Sequence, residues 1–273
     1  MGNLDFILDW TKKLKQEIQA IDFLDDDIRK DYFRMTHDVA YCYYEGYSLF
    51  KIFGIINQHD AYFHNSIIPY EKHFQQLREL ATKQTLQRSY VNSLNRNLLI
   101  GAWSTFEFCV TALCEGILDE KETEKLLQFE YRDILKIVKI QLNDAVLDKL
   151  KMKKVKHNLI HVPIIRKTDQ LFKRTKGYGR NVDDDKDFLV FMSKLRNSHH
   201  SNFIYYDKDY EYRYGNAYFR FHNGKNVGID DPFEPTPKLN FYLIGNLKNI
   251  WKELVCSIHH PEPIINPFDA SLE

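Results

Sequence analysis

The scarcity of helix-breaking residues constrains the fold of this chain more than any other feature. The 273 residues include only 11 Gly and 8 Pro, and six of the prolines follow residue 230. Proline removes a backbone donor and clashes with the preceding helical turn, and glycine weakens a helix interior. The first 230 residues therefore contain few interruptions, which predicts a mainly α-helical chain.

Apolar residues recur at intervals of three and four along most of the chain, which is the period of an amphipathic helix. The predicted helices cover about 7–21, 25–52, 70–83, 86–118, 120–152, 157–173, 184–200 and 237–258. We expect residues 1–273 to form one mainly α-helical domain. The polar residues 174–185 predict a mobile loop, and residues 261–273 predict a frayed tail.

One stretch, within an expected insertion of residues 206–230, alternates with a period of two instead. Two such runs, 210–214 and 217–222, flank Gly215 and Asn216 and predict a β-hairpin with a two-residue turn. Pairing Tyr214 with Ala217 fixes the register. The remaining predicted pairs are Tyr212 with Phe219, Tyr210 with Phe221 and Glu211 with Arg220.

The chain carries no clear targeting signal. The first residues lack the basic region and the small-residue cleavage site of a secretory signal. The most apolar stretch, 98–118, is long enough to span a bilayer, but it contains Glu107 and Glu115. We therefore predict a buried amphipathic helix there, no membrane partner and a cytoplasmic location.

The end of the predicted helix 184–200 holds the sharpest local feature. At about 100° per residue, His199 points into the apolar stripe of this helix and is predicted to be packed. Arg196 and His200 lie one turn apart at the border of that stripe. Histidine exchanges a proton near neutral pH and guanidinium binds phosphate oxygens, so this pair suits metal-free cleavage of RNA. Alternatively, both side chains cap the last carbonyls of the helix.

The sequence of Arg196 and Asn197 followed by His200 resembles the R-N-x-x-H type signature of the HEPN superfamily, which are all-helical domains. Many of them are metal-independent ribonucleases of toxin and antiviral systems. Residues 103–108 are similar to the aromatic and acidic patch on an earlier helix of such domains, so the resemblance covers at most residues 86–205. Three residues separate Arg196 from His200, whereas four to six are commonest in the family. Shorter variants are either functional or binding-only members.

The resemblance implies a HEPN-like helical bundle that works as a homodimer, in which Arg and His of two subunits face each other. RNA is cleaved by attack of the ribose 2′-hydroxyl. Arg196 would stabilise phosphate charge, His200 would be the general base or acid, and Asn197 would orient the site. Glu107 would hold Arg196 in place. No cofactor and no metal are implied.

A basic segment precedes this helix. Residues 149–180 contain eleven Lys or Arg and one acid, Asp169, although the whole chain balances 38 basic against 38 acidic residues. The predicted RNA-binding residues are Lys149, Lys151, Lys153, Lys154, Lys156, Arg166, Lys167, Lys173, Arg174 and Lys176, with Arg180 also in the segment. We expect them to bind phosphate, and Phe172 and Tyr178 to stack on bases. A lysine-rich, solvated helix face is the alternative.

Other motifs add little. His157 and His161 have the i, i+4 spacing of metal ligands, but Asn158 stands where a zinc protease needs Glu. The leading hypothesis is a HEPN-type endoribonuclease of a toxin or antiviral-defence system, with RNA, a second copy and a regulatory protein as expected partners. A non-catalytic HEPN-like scaffold that binds RNA or protein is the alternative. A third is an interaction protein that uses helix 25–52 and the hairpin as its contact surface.

Overall fold

The fold is mainly helical, with a small antiparallel sheet near the C-terminus, as the shortage of helix breakers predicts. The computed structural model describes residues 2–56, 76, 79, 83–127, 159, 162–233 and 237–265. The helices are α1 (Asn3–Ala20), α2 (Ile28–Ile56), α3 (Gln84–Ile117), α4 (120–127), α5 (Ile164–Arg174), α6 (Val182–His200) and α7 (Lys238–Ser257). Most of the predicted helix 70–83 and most of the predicted helix 120–152 lie outside the described residues.

The sheet has strands β1 (Tyr210–Tyr214), β2 (Ala217–Phe221) and β3 (Gly228–Asp230), in the order β1-β2-β3. Every predicted pair of the hairpin is confirmed, including Tyr214 with Ala217 and Glu211 with Arg220. Gly215 adopts a φ of +57°, at the turn position where glycine is favoured. The third strand was not predicted, because three residues are too short to show alternation.

The chain divides into two compact units, each built from three separate stretches. The first unit comprises residues 1–20, 34–102 and 195–245, and the second comprises 21–33, 103–194 and 246–273. The HEPN-like core expected at 86–205 contributes residues to both units. The expected division into a single domain, a core and an insertion stays a prediction.

Aromatic residues form the core of the first unit. Phe241 is fully buried, and its ring lies 5.2 Å from that of Trp10 and 5.6 Å from that of Tyr43. The Tyr43 hydroxyl donates to Asn95 Oδ1 at 2.9 Å, so this buried polar group is satisfied. Phe219, on the apolar face of the hairpin in the same unit, is also buried, as its alternation requires.

A second aromatic cluster forms the core of the second unit. The Tyr32 ring lies 4.8 Å from that of Trp251 and 6.1 Å from that of Phe106. All three side chains are fully buried. The Trp251 indole N–H donates to the Arg29 carbonyl at 3.1 Å.

The residues after α7 are anchored in the second unit. The Arg29 guanidinium donates to the carbonyls of His260 at 2.8 Å and Glu262 at 3.0 Å, and it forms a buried ion pair with Asp27. The Ile264 N–H donates to the Asp27 carboxylate at 3.3 Å. The expectation of a frayed tail is therefore wrong for residues 261–265, and residues 266–273 lie outside the described part. We call residues 260–265 the C-terminal strap.

One helix in the described part of the chain, Thr85–Ile117, is long and apolar enough to cross a membrane. In its most apolar window 67% is buried inside the protein. A core helix of a water-soluble protein has the same properties, so this feature leaves the absence of a membrane partner and the cytoplasmic location as predictions.

Candidate functional site

Helix α6, whose C-terminal end is the candidate site, begins with strong local signals. The Asn181 side chain accepts hydrogen bonds from the N–H groups of Asp183 at 2.9 Å and Asp184 at 3.3 Å, as an N-cap residue does. Its first turn contains three aspartates, which the positive end of the helix dipole stabilises. The predicted helix 184–200 is therefore confirmed, with a start two residues earlier.

The C-terminal end of α6, in the first unit, closes sharply. Asn202 adopts a left-handed φ of 54°, and the Phe203 N–H donates to the Ser198 carbonyl at 2.7 Å. This six-to-one hydrogen bond satisfies one of the last helical carbonyls, as in a Schellman motif. Phe203 also has a positive φ of 67°, which is rare for a bulky residue. The backbone under Arg196 and His200 therefore ends in a constrained turn.

Hydrogen bonds attach the segment after this turn to the β2–β3 loop. The Val227 N–H donates to the Phe203 carbonyl at 3.0 Å, and the Tyr205 N–H donates to the Lys225 carbonyl at 3.0 Å. The buried Tyr205 ring lies 5.1 Å from that of Phe221. These contacts fix the end of α6 against the sheet within the first unit.

His199 is packed, as its position on the apolar stripe predicts. Its side chain is 5% exposed, and its ring centroid lies 4.5 Å from that of Phe203. Burial, and secondarily the charges of Arg96 and His200, lower its pKa from 6.5 to about 4. His199 is therefore neutral near pH 7 and is enclosed, so it is not available for proton exchange with a ligand.

Arg196 and His200 lie at the surface side of the same helix end. Arg196 is half-buried, and its Nη1 donates to Asn197 Oδ1 at 3.1 Å. His200 is exposed, and its side chain makes no hydrogen bond or ion pair with the residues that the structure describes. Residues four apart on a helix have Cβ atoms about 5–6 Å apart. Both side chains can therefore reach one phosphate group.

Arg96 of α3 is a residue that the sequence analysis missed. It is half-buried in the first unit, close enough to His199 for its charge to lower the pKa of that imidazole. About a hundred residues separate it from His199 in the sequence, and no local pattern signals the proximity. The end of α6 is thus more positive than the motif alone suggests.

Glu107, expected to hold Arg196, belongs to the second unit. Its backbone carbonyl accepts a hydrogen bond from the Thr111 hydroxyl at 2.6 Å. Its negative charge raises the pKa of the Lys167 ammonium, against a larger lowering by burial. An ion pair of Glu107 with Arg196 stays a prediction.

Lys167 is not an RNA-binding residue in this structure. Its side chain is 3% exposed, and its Nζ donates to Thr111 Oγ1 at 2.6 Å and to the Leu159 carbonyl at 3.2 Å. The prediction for Lys167 is therefore wrong, because a buried ammonium with two partners cannot reach a phosphate. Lys167 lies three residues after Ile164 and four before Leu171, and both of these side chains are buried. Lys167 is therefore on the buried face of α5, which explains why it is enclosed.

Other basic side chains of the segment are also engaged within the second unit. Arg174 forms an ion pair with Glu122, and Arg180 Nη2 donates to Asp185 Oδ1 at 2.6 Å. Lys173 and Lys176 are exposed, and Arg166 is half-buried. Lys149, Lys151, Lys153, Lys154 and Lys156 lie outside the described residues. The described part of the basic segment therefore offers few cations to a ligand.

The two aromatic residues of this segment pack against each other within the second unit. Phe172 is 6% exposed, and the Tyr178 ring meets it edge to face at 5.4 Å. The Tyr178 hydroxyl donates to Asp185 Oδ2 at 2.7 Å. The expectation that Phe172 stacks on an RNA base is wrong, because the ring is already enclosed.

The loop before α6 differs from the mobile loop expected there. The Lys176 N–H donates to the Ser257 carbonyl at 2.8 Å, and the Gly179 N–H donates to Glu253 Oε1 at 2.7 Å. Both acceptors belong to α7, so backbone hydrogen bonds hold the loop in the second unit.

No cluster of three or more His, Cys, Asp or Glu that could bind a metal ion occurs among the described residues. His157 and His161 lie outside them, and the expected absence of a metal or cofactor stays a prediction. Comparison of the chain with family models, curated proteins and solved structures finds no match.

Proposed function

We propose that this protein is a HEPN-like, metal-independent endoribonuclease whose site is the C-terminal end of α6. The observation that carries the proposal is the placement of Arg196 and His200, one turn apart at a closed helix end. His200 is exposed and Arg196 is half-buried, and the backbone that carries both ends in a constrained turn. Guanidinium and imidazole together suit phosphodiester cleavage without a metal, because one binds the phosphate oxygens and the other transfers the proton.

The chemistry assigns one role to each side chain. The His200 imidazole takes the proton of a ribose 2′-hydroxyl, whose oxygen attacks the adjacent phosphorus. Arg196 binds the non-bridging phosphate oxygens, where negative charge accumulates. The 5′-oxygen leaves and takes the proton from the His200 imidazolium that the first step formed, which gives a 2′,3′-cyclic phosphate and a 5′-hydroxyl and restores the imidazole.

Asn197 would orient this site. Its side-chain oxygen accepts a hydrogen bond from Arg196, which limits the positions that the guanidinium can take. In a homodimer of HEPN type, Arg196 and His200 of the two copies would face each other across the interface. A toxin or antiviral-defence role in the cytoplasm, regulated by a protein partner, belongs to this proposal.

A non-catalytic HEPN-like scaffold is the second candidate. The engagement of Lys167, Arg174 and Arg180 inside the second unit favours it, because these residues do not provide the basic surface expected for RNA. The separation of Arg196 from His200 by three residues also favours it.

RNA cleavage by the purified protein in EDTA distinguishes the two candidates. We expect cleavage by the unchanged protein, and a loss of about 10²-fold or more in Arg196→Ala and in His200→Ala. A helix-capping role would leave the rate unchanged in both variants.

Arg88→Ala and His259→Ala are matched controls, since both residues are exposed and neither belongs to α6. Both controls should cleave RNA at the rate of the unchanged protein. Cleavage that survives both α6 substitutions, or that requires added metal, would contradict the ribonuclease proposal.

A further inference from the structure

Strand β1 ends the sheet in the part of the chain that the structure describes, because the strand order is β1-β2-β3. An edge strand offers a row of backbone donors and acceptors for pairing with another strand. Its sequence is Tyr-Glu-Tyr-Arg-Tyr, and the side chains of Glu211 and Arg213 are exposed.

The hairpin register determines which backbone groups face outward. In a two-residue hairpin the residues that flank the turn, Tyr214 and Ala217, exchange both backbone hydrogen bonds, and the pattern then alternates along the strand. The backbone groups of Glu211 and Arg213 therefore point away from β2. These two residues supply two N–H donors and two carbonyl acceptors to the outer edge.

We propose that β1 pairs antiparallel with β1 of a second copy of this chain, about a two-fold axis through Tyr212. This register places Glu211 of each copy opposite Arg213 of the other, in the class of pair that exchanges two backbone hydrogen bonds. The interface then contains four backbone hydrogen bonds and two cross-strand ion pairs. A six-stranded sheet results, with β3 at both ends.

The charges select this register over its neighbours. A shift that places Arg213 opposite Arg213, or Glu211 opposite Glu211, sets like charges against each other across the strands. A shift by one residue would set the outward backbone groups of Glu211 and Arg213 opposite residues whose groups face β2, and it would put the tyrosines of the two copies on opposite faces of the joined sheet. Only the two-fold register about Tyr212 joins opposite charges at both positions while keeping the tyrosines on one face.

This dimer goes beyond the proposed ribonuclease and does not depend on it, since it rests on the sheet alone. The contact is short, with one five-residue strand from each copy, so the association is weak and depends on protein concentration.

A charge-reversal cycle tests the proposed dimer directly. Glu211→Arg and Arg213→Glu each create two like-charge pairs, whereas the double variant restores two opposite-charge pairs.

Sedimentation velocity over about a hundredfold range of protein concentration provides the measurement. We expect concentration-dependent self-association of the unchanged chain, with the dissociation constant of the β1 contact raised by about tenfold or more in each single variant and recovered in the double variant. Lys208→Glu is the matched control, because it makes the same charge change as Arg213→Glu at an exposed residue outside β1.

A chain that stays monomeric throughout this range would overturn the proposal. So would a dimer that both single variants leave unchanged, or one that the double variant fails to restore. Circular dichroism of each variant establishes that the hairpin and helices are intact, and a ribonuclease assay of the same samples shows that the two proposals succeed or fail separately.

Discussion

Two groups of basic residues in this chain have opposite relations to their surroundings. In the second unit, Lys167 is buried, and the charges of Arg174 and Arg180 are paired with carboxylates. In the first unit, His200 is exposed at the end of α6, beside a half-buried Arg196. The segment with the larger positive charge in the sequence thus offers less of it to a ligand. A phosphate can bind only where the cations are not already engaged by carboxylates or carbonyls of the protein, so the number of cations in a segment does not locate the site.

The largest expected loss of stability follows from removing a buried, paired cation of the second unit. Arg29→Ala leaves the Asp27 carboxylate buried without its ion pair and removes two hydrogen bonds to the C-terminal strap. Breaking a buried ion pair in this way costs about 3–5 kcal/mol of unfolding free energy. Urea unfolding measures this, with the exposed Arg88→Ala expected within about 0.5 kcal/mol of the unchanged chain. Equal losses in both variants would contradict the anchored strap.

The next effect separates two lysines of the basic segment. Lys167→Ala removes a buried aliphatic chain and two hydrogen bonds, for an expected loss of about 2–4 kcal/mol. The exposed Lys173→Ala is expected to change the unfolding free energy by less than about 0.5 kcal/mol. Similar results for both lysines in urea unfolding would mean that Lys167 is a surface residue.

A third prediction concerns the acid stability that His199 controls. Its pKa is about 4 in the folded chain against 6.5 for the ordinary side chain, so below pH 6.5 the unfolded state binds a proton that the folded state does not. The folded state therefore loses stability as the pH falls from 6.5 to 4, by up to about 3 kcal/mol. Above pH 6.5 His199 is neutral in both the folded and the unfolded state, so it causes no such loss of stability.

His199→Phe removes the titration and keeps an aromatic ring against Phe203. The difference in unfolding free energy between the variant and the unchanged chain, measured by urea unfolding, should therefore grow in favour of the variant between pH 6.5 and pH 4. A difference that does not vary with pH would show that His199 titrates normally.

The smallest effect is expected for an exposed cation of the second unit. If Lys176 contacts RNA phosphate, Lys176→Ala weakens binding by a few-fold and reduces the slope of log affinity against log salt by about 0.7 for single-stranded RNA. Fluorescence anisotropy across a salt series measures both quantities. Because Arg174 is paired with Glu122, Arg174→Ala should change the salt slope less than Lys176→Ala does.

Local patterns predicted the elements whose determinants are local. The hairpin register followed from a two-residue turn and strict alternation, and every pair agrees. The helix that ends at His200 followed from its apolar period, which also placed His199 in the core. In both cases the residues that specify the structure lie close together in the sequence.

Long-range contacts explain what the sequence could not predict. The C-terminal strap looks like a frayed, proline-rich end until Asp27 and Arg29, more than two hundred residues earlier, supply its hydrogen bonds. Arg96 reaches the end of α6 in the same non-local way. For Lys167, by contrast, the period of α5 held a usable signal, because a lysine on an apolar stripe is expected to be enclosed.

Analysis of the RNA ends tests the central claim most directly. With the protein in EDTA, an attack by the 2′-hydroxyl that Arg196 and His200 promote leaves a 2′,3′-cyclic phosphate on one product and a 5′-hydroxyl on the other. The account predicts these ends for the unchanged protein and for Arg88→Ala, and no such products above background for Arg196→Ala or His200→Ala. A 3′-hydroxyl with a 5′-phosphate, or cyclic ends that persist in both α6 variants, would contradict it.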